Sequence, residues 1–282
     1  MTMNLVLQGP GARQADMERV AATARPGRTF ELNPHALRCE QVDDSPAVRL
    51  AVETAAFDAG IDACFIDSAI KLAGFRLVAM DMDSTLITIE CIDEIADMQG
   101  LKPQVSKITE AAMRGELAFS ESLERRVALL AGLDAGALER VYDERLRISM
   151  GGEAMLAAVK AAGLKTLLVS GGFTFFTERL REHLGLDFSH ANVLEIEGGK
   201  LTGRVVGGIV DAQEKMLTVQ RVCAQIGAEP GQAIVMGDGA NDLAMMSIAG
   251  LSVAFRAKPV VRAKAAVALN FSGLDGLLAI LA

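Results

Sequence analysis

Carboxylates occur in two short clusters that could act together. Asp81 and Asp83 lie two residues apart, so on extended backbone both side chains can point to one side, and Asp238 and Asp242 lie four residues apart. Carboxylates held together repel each other and are difficult to keep ionised unless a cation lies between them. Mg²⁺ suits such a site because it takes one or two carboxylates and completes its shell with water and phosphate oxygens. The pattern therefore predicts a Mg²⁺ site for a phosphorylated molecule.

Three further features could bind an anion. The glycines of SGG at 170–172 and of GDGAND at 237–242 permit close approach of the backbone and leave N–H groups free, and Lys215 could supply a countercharge. Alone, each feature has an ordinary explanation: a DxD pair or SGG is usually a turn, GDG is usually a loop, and a lysine is usually solvated. Their occurrence together and in this order favours catalysis.

The polar clusters directly follow apolar runs. These runs show no alternation of apolar and polar residues, which is typical of strands buried on both faces of a parallel sheet. Ligands of such sheets bind beyond the carboxyl ends of the strands, so we expect the clusters to meet in one crevice. The predicted strands are 77–80, 166–169 and 233–236.

Helical patterns complete an α/β, Rossmann-like core. Helices are predicted at 153–162 and 212–226, each followed by a terminating glycine, and a β-hairpin is predicted beside the sheet at 191–206. The residues from about 88 to 150 are predicted to be helical. Because this segment is too long for a simple crossover, we expect an inserted helical cap in a domain of residues 71–282.

The first 70 residues show a different order of elements. They predict a βαββαβ arrangement, which is the ferredoxin-like α+β fold. We expect them to form a separate N-terminal domain, residues 1–70. The predicted elements are strands at 4–7, 28–32, 36–42 and 61–66 and helices at 12–23 and 47–59.

Composition excludes several classes of protein. The 282 residues carry a net charge of −8, which argues against sequence-independent binding to nucleic acid. Four cysteines without a CxxC pair indicate reduced thiols, and three histidines without HxxxH or HExxH spacing argue against zinc. We find no signal peptide and no uncharged apolar run approaching 18 residues. These observations predict a cytoplasmic protein that does not bind membranes.

The motifs resemble those of the haloacid dehalogenase superfamily, and most closely its phosphoserine-hydrolysing members. The resemblance runs from about residue 75 to 260 and includes one departure, Met150-Gly151-Gly152, where many relatives carry proline before the first glycine; we expect this to matter little. The segments that carry it are DMDST (81–85), ECIDEIA (90–96), MRGELAFSESLERRVALL (113–130), VSGGF (169–173), Lys215, GDGAND (237–242) and AFRAKP (254–259).

The resemblance implies a phosphoaspartyl mechanism. Asp81 matches the nucleophile and Asp83 matches the general acid and base, while Lys215 matches the group that stabilises charge between Asp81 and the phosphoryl group. The implied Mg²⁺ ligands are Asp81, the backbone carbonyl of Asp83, and Asp238. Asp242 matches the residue that orients this shell.

The resemblance also implies the substrate contacts. Ser170 and Gly171 match the phosphate grip, and Asn241 matches a contact to phosphate or substrate. Glu90 matches the contact to the ammonium group and Arg126 the contact to the carboxylate. Without the resemblance, Glu90 would be an acid at a helix N-terminus and Arg126 a solvated arginine. Met113 and Phe119 match positions in the wall of the substrate pocket, but their helical spacing is equally well explained by a place in the core of the cap.

The expected activity is hydrolysis of phosphoserine to serine and phosphate, the last step of serine biosynthesis. Alternatives are transfer of the phosphoryl group to another small alcohol, hydrolysis of another small phosphomonoester, and a sensor that has lost catalysis. Relatives often carry an ACT-like N-terminal module that binds amino acids or pairs subunits, so regulation by serine and a homodimer stay open.

Overall fold

The computed structural model describes residues 2–113 and 116–282. Within these residues there is a four-stranded sheet and a seven-stranded sheet. Across the same residues, every helix is too short or too polar to cross a membrane.

The four-stranded sheet has the predicted ferredoxin-like topology. Its strand order is β2-β3-β1-β4, and all neighbours are antiparallel. Leu5 and Leu7 of β1 pack with Met17 and Val52 of the two helices, so one face of the sheet is covered by them. The elements are β1 (Met3–Gln8), α1 (Gln14–Thr23), β2 (Arg28–Asn33), β3 (Ala36–Glu40), α2 (Pro46–Asp58) and β4 (Asp62–Asp67).

The seven-stranded sheet forms the Rossmann-like core, with the order β11-β10-β9-β5-β6-β7-β8. All pairs are parallel except β7 with β8. The hairpin predicted beside the sheet therefore belongs to it, because β7 begins earlier than predicted and pairs with β6. The strands are β5 (Leu77–Met80), β6 (Lys165–Phe173), β7 (Phe188–Glu197), β8 (Lys200–Val206), β9 (Ala233–Gly237), β10 (Leu251–Phe255) and β11 (Val267–Leu269).

The central strand β5 is buried on both faces. Val78 and Met80 belong to one apolar cluster, and Leu77 and Ala79 belong to another on the opposite face. Helices cover both faces, which explains why the strand shows no alternation in its sequence. These helices and short helical segments are α7 (Gly152–Ala161), α8 (Thr174–Leu184), α9 (Ala212–Gln225), α10 (Leu243–Met246), α11 (Pro259–Arg262) and α12 (Gly276–Leu281).

The residues between β5 and β6 are largely helical, as predicted for a cap. An isolated antiparallel bridge between Ile87 and Ile148 connects the segment that leads into the cap to the segment that leads out of it. A second attachment lies on the hairpin, where Leu201 exchanges backbone hydrogen bonds of 2.8 Å with Gly132 and Leu133. The cap helices are α3 (Cys91–Asp97), α4 (Lys102–Met113), α5 (Phe119–Ala128) and α6 (Gly136–Arg140).

The C-terminal segment connects the N-terminal sheet to the exit of the cap. The buried carboxylate of Asp62 accepts hydrogen bonds from the backbone N–H groups of residues 270–272 at 2.6–3.3 Å. Leu274 donates its N–H to the carbonyl of Met150 at 2.8 Å. Gly151 has φ +76°, and a Cβ there would lie 2.0 Å from Oδ1 of Asp275. Both the positive φ and this close approach require glycine at 151.

Candidate active site

The three polar clusters meet at one edge of the sheet. Strands β9, β5 and β6 are neighbours and parallel. Asp238 and Asp81 directly follow β9 and β5, and Ser170 lies in the C-terminal half of β6, so all three lie toward the carboxyl ends of the strands. As expected, the structure brings these clusters together: Lys215 contacts both Asp81 and Asp242, and Gly172 lies close to Asp83.

A tight turn after β5 places the second aspartate. Ser84 has φ +57°, which is uncommon for a residue with a side chain, and it turns the chain back toward the sheet. The Oδ1 atom of Asp83 accepts a hydrogen bond of 3.1 Å from the N–H of Cys91 at the start of α3. The N–H groups three to five residues downstream of Asp83 donate to other carbonyls, so its own carbonyl oxygen receives no donor from that turn.

Lys215 is completely buried between two carboxylates. Its Nζ donates to Oδ1 of Asp81 at 2.5 Å and to Oδ1 of Asp242 at 2.8 Å. Helix α9 carries this lysine, and Asp211 caps its N-terminus by accepting from the N–H of Glu214 at 2.9 Å. Burial alone lowers the pKa of Lys215, but Asp242 and Asp81 outweigh it and raise the pKa, so the ammonium stays charged.

Three carboxylates converge beside this lysine. Oxygens of Asp81, Asp238 and Asp242 lie within 4.8 Å of one another. Burial, followed by repulsion from Asp242, raises the pKa of Asp81 well above its ordinary value and that of Asp238 to about 7. Oδ2 of Asp242 accepts the N–H groups of Asp238 and Gly239 at 3.2 and 3.0 Å, so both its oxygens are already engaged. The donor set suits a divalent cation held mainly by the other two carboxylates.

Asp83 lies against the SGG segment. A Cβ on Gly172 would lie 2.8 Å from Oδ2 of Asp83, so the carboxylate and the loop are in close approach. Burial, followed by repulsion from Glu90, raises the pKa of Asp83 to about 7. A carboxyl with this pKa can both donate and accept a proton near neutral pH.

The SGG segment is closely packed within the site. Oγ of the buried Ser170 accepts the N–H of Gly172 at 2.8 Å. A Cβ on Gly171 would lie 2.9 Å from the ring of Phe119, so the cap packs directly on this loop. The structure therefore brings Phe119 to the site, while the side chain of Met113 and residues 114–115 lie outside the described residues.

The two charged residues expected to recognise the substrate lie on the cap side of the site. Glu90 is exposed and accepts a hydrogen bond of 2.7 Å from Oγ of Ser84. Arg126, in the last turn of α5, donates through Nε to the carbonyl of Ser122 at 3.2 Å. Burial lowers the pKa of Arg126, and the nearby carboxylates of Asp93, Glu90 and Asp83 oppose that effect.

Two residues complete the account of the site. Asn241 is half-buried in the turn after β9, where a Cβ on Gly239 would lie 2.2 Å from its Oδ1. Asn192, which the sequence analysis missed, is buried on β7 and donates to the carbonyls of Gly171 and Gly172 at 2.8 and 3.2 Å. An asparagine within a strand gives no local signal of this contact.

Comparison with known proteins agrees with this geometry. The family model described as haloacid dehalogenase-like hydrolase matches residues 78–247. A phosphoserine phosphatase of Polaromonas sp. is 56% identical over 214 residues, which cover 74% of this chain and 91% of that protein. The chain therefore belongs to the haloacid dehalogenase-like hydrolases.

Solved structures resemble the whole chain. A HAD family hydrolase from Salmonella enterica serovar Typhi matches with a TM-score of 0.90 at 29% identity, and the match covers 100% of this chain and 99% of that protein. A probable phosphoserine phosphatase from Vibrio cholerae matches with a TM-score of 0.83 at 37% identity, and the match covers 99% of this chain and 86% of that protein. The likeness therefore includes the N-terminal sheet as well as the Rossmann-like core.

Proposed function

We propose that this chain is a phosphatase that hydrolyses phosphoserine to serine and phosphate, the last step of serine biosynthesis. The observation that carries the proposal is the buried Asp81–Lys215–Asp242 arrangement beside Asp83, with Ser170 and Gly171 opposite. The likeness to phosphoserine phosphatases supports the choice of substrate.

In the first step, a carboxylate oxygen of Asp81 attacks phosphorus and the bond from phosphorus to the serine oxygen breaks. Asp83 gives its proton to the departing oxygen, which its raised pKa favours near neutral pH. Lys215 stays charged and offsets negative charge between Asp81 and the phosphoryl group. Ser170 and the N–H of Gly171 hold the phosphoryl oxygens.

In the second step, Asp83 takes a proton from water, and that water attacks the phosphorus of the acyl phosphate. The bond from phosphorus to Asp81 breaks, which releases inorganic phosphate and restores both carboxyl groups. Asn241 contacts the phosphate or the substrate from the turn after β9. Each step balances with water as the only co-reactant.

The carboxylate cluster fits Mg²⁺. We propose that Asp81, Asp238 and the backbone carbonyl of Asp83 hold it, and that Asp242 orients them through its hydrogen bonds to Lys215 and to the turn after β9. When bound, the cation would neutralise charge on the phosphate and allow the carboxylates to ionise together.

Removing Mg²⁺ is expected to destabilise the protein more at alkaline pH. The pKa values of Asp83 and Asp238 are raised to about 7, so these carboxyls contribute stability at low pH that is lost as the pH rises through 7. Protons compete with the cation for the carboxylates, so Mg²⁺ binds best when the carboxyl groups are deprotonated. A melting-temperature comparison of Mg²⁺ with EDTA should show a larger gain at about pH 8 than at about pH 5.5.

Binding of Mg²⁺ should raise the free energy of unfolding by about 3 kcal/mol when its concentration is about a hundredfold above its Kd. D238N removes one proposed ligand and is the matched variant, so it should lose most of this gain. Equal melting temperatures of the wild type with Mg²⁺ and with EDTA at the higher pH would contradict the metal site.

Two other activities remain as alternatives. A phosphotransferase would use the same acyl phosphate but exclude water in favour of an alcohol, and another phosphatase would use the same catalytic groups on another phosphomonoester. A sensor without catalysis is disfavoured, because Asp81, Asp83 and Lys215 are all present and in contact with the site. Release of phosphate from phosphoserine in water distinguishes these possibilities.

The N-terminal residues 1–70 are proposed to be an ACT-like domain that is a fixed part of the enzyme. Val6, Cys64 and Ile66 belong to the same apolar cluster as Leu277 and Ile280 of α12. The face of the sheet opposite its helices is therefore covered by the chain's own C-terminal segment. This packing favours a supporting role over serine binding, and pairing of two copies would have to use other surfaces of the domain.

Loss of the Asp62 carboxylate is expected to destabilise the whole chain. Its oxygens accept backbone N–H groups from residues 270–272, and removing them leaves these donors, of which that of Ser272 is buried, without their partner. We expect D62A to lower the free energy of unfolding by about 3 kcal/mol. D58A, at the exposed end of α2, is the control and should change stability little. Denaturant unfolding measures both, and equal midpoints for D62A and wild type would contradict the supporting role.

Location and partners follow from chemistry. We propose a cytoplasmic enzyme, since the four cysteines are free and buried in the structure. Its partner is a small phosphorylated substrate, and the net charge of −8 disfavours nucleic acid.

A further inference from the structure

The pairing of β6 with β7 is interrupted beside the phosphate grip. Val169 pairs with His190, and the next pair is Phe173 with Asn192. Residues 170–172 of β6 therefore stand opposite the single residue Ala191, and they bulge out of the ladder. The bulge turns the SGG segment toward the site but removes the hydrogen bonds that a regular strand would give it.

The side chain of Asn192 replaces the missing hydrogen bonds. Its Nδ2 donates to the carbonyls of Gly171 and Gly172 at 2.8 and 3.2 Å, and its Oδ1 accepts the N–H of Val210 at 2.8 Å. The amide is 1% exposed, and both its donors and its acceptor are used. Such a fully bonded buried amide fixes the groups around it in one arrangement.

The SGG segment needs a restraint from outside. A Cβ on Gly171 would lie 2.9 Å from the ring of Phe119, and one on Gly172 would lie 2.8 Å from Oδ2 of Asp83. The close packing of the site therefore demands glycines, and glycines leave the backbone free to rotate. A hydrogen bond from a neighbouring strand removes that freedom without adding a side chain to the site.

The restraint acts on the orientation of the peptide planes. In a trans peptide the C=O and N–H groups point in opposite directions, so holding the carbonyl of Gly171 toward Asn192 directs the N–H of Gly172 the other way. That N–H donates to Oγ of Ser170 at 2.8 Å. The amide of Asn192 thereby sets the position of the serine hydroxyl that we propose grips phosphate.

The same amide also reaches the helix that carries the catalytic lysine. Val210 directly precedes Asp211, which caps α9, and Lys215 lies in the first turn of that helix. Asn192 therefore connects the SGG segment of β6 to the start of helix α9.

We propose that Asn192 is a positioning residue that holds the phosphate grip and the start of α9 in register. The proposal rests on the proposed phosphatase function and deepens it. Asn192 acts through Ser170, Gly171 and Lys215 rather than by touching the substrate.

The test compares N192A with N192D and with a control of similar burial. N192D keeps the size of the side chain and an acceptor for Val210, but it cannot donate to the glycine carbonyls as a carboxylate. T166V removes a buried hydroxyl that donates to Asp187 at 3.0 Å at the far end of β6. We expect kcat/KM to fall about a hundredfold in both Asn192 variants, chiefly through kcat, because a misplaced group costs about that much.

Binding of inorganic phosphate as an inhibitor gives a readout independent of turnover. Both Asn192 variants should bind phosphate more weakly than T166V at a similar loss of melting temperature, while stabilisation by Mg²⁺ is retained. Losses of kcat/KM and of phosphate affinity no larger than in T166V would overturn the proposal. Assays with para-nitrophenyl phosphate separate this result from the choice of phosphoserine, because a wild type that hydrolyses only the aryl ester would refute the proposed substrate alone.

Discussion

Replacing Asp81 by asparagine is expected to lower kcat by about 10⁵-fold or more, as removal of a catalytic nucleophile does in other enzymes. The amide cannot form the acyl phosphate. Because burial and the repulsion of Asp242 raise the pKa of Asp81, a neutral side chain of nearly the same shape should not lower the melting temperature. Phosphate release and thermal unfolding measure the two effects separately.

D242N is the matched comparison, since Asp242 contacts the same lysine but is not the proposed nucleophile. Its Oδ1 accepts from Lys215 and its Oδ2 accepts two backbone N–H groups, so D242N should lose stability as well as activity. Rapid acid quenching with radiolabelled phosphoserine should trap phosphate on the wild type and none on D81N. Wild-type turnover in D81N would show that another residue attacks phosphorus.

R126A is expected to lower kcat/KM for phosphoserine by about 10²–10³-fold, because the substrate carboxylate would be buried without its partner. Arginine suits this contact, since its planar fork donates two hydrogen bonds to one carboxylate. Phosphoethanolamine has no carboxylate, so its hydrolysis should change by less than about tenfold. Steady-state kinetics on both substrates measure the difference.

The neighbouring arginine provides the control. Arg125 is exposed and forms an ion pair of 2.6 Å with Glu121 on the outer side of the same helix. R125A removes the same charge from the protein and should leave both substrates nearly unaffected. Equal losses on the two substrates in R126A would place Arg126 outside the recognition site and leave the specificity unexplained.

Local patterns were sufficient to predict the strands that bear the catalytic clusters. The run at 77–80 lacks alternation because both its faces are covered, and the structure gives β5 the same limits. Gly163 and Gly227 end their helices with φ of +82° and +69°, as expected of glycine after a helix. The βαββαβ order was also legible, because each of its elements is short and bounded by turn residues.

Contacts between distant parts of the chain could not be predicted in this way. Asp62 and the N–H groups of residues 270–272 are about two hundred positions apart, and an aspartate at the start of a strand gives no sign of its partner. The bonds from Asn192 to the glycines depend on a bulge that exists only in the assembled sheet. The position of Arg126 near the site likewise depends on how the cap packs, and the sequence suggested it only through the family resemblance.

A phosphate-release assay on a panel of small phosphomonoesters, with Mg²⁺ and with EDTA, tests the central claim most directly. The panel should include phosphoserine, phosphoethanolamine, glycerol phosphate and para-nitrophenyl phosphate. We predict that phosphoserine has the highest kcat/KM, by about a hundredfold or more over phosphoethanolamine, and that EDTA abolishes its hydrolysis. A higher kcat/KM for another ester, or undiminished turnover in EDTA, would contradict the account.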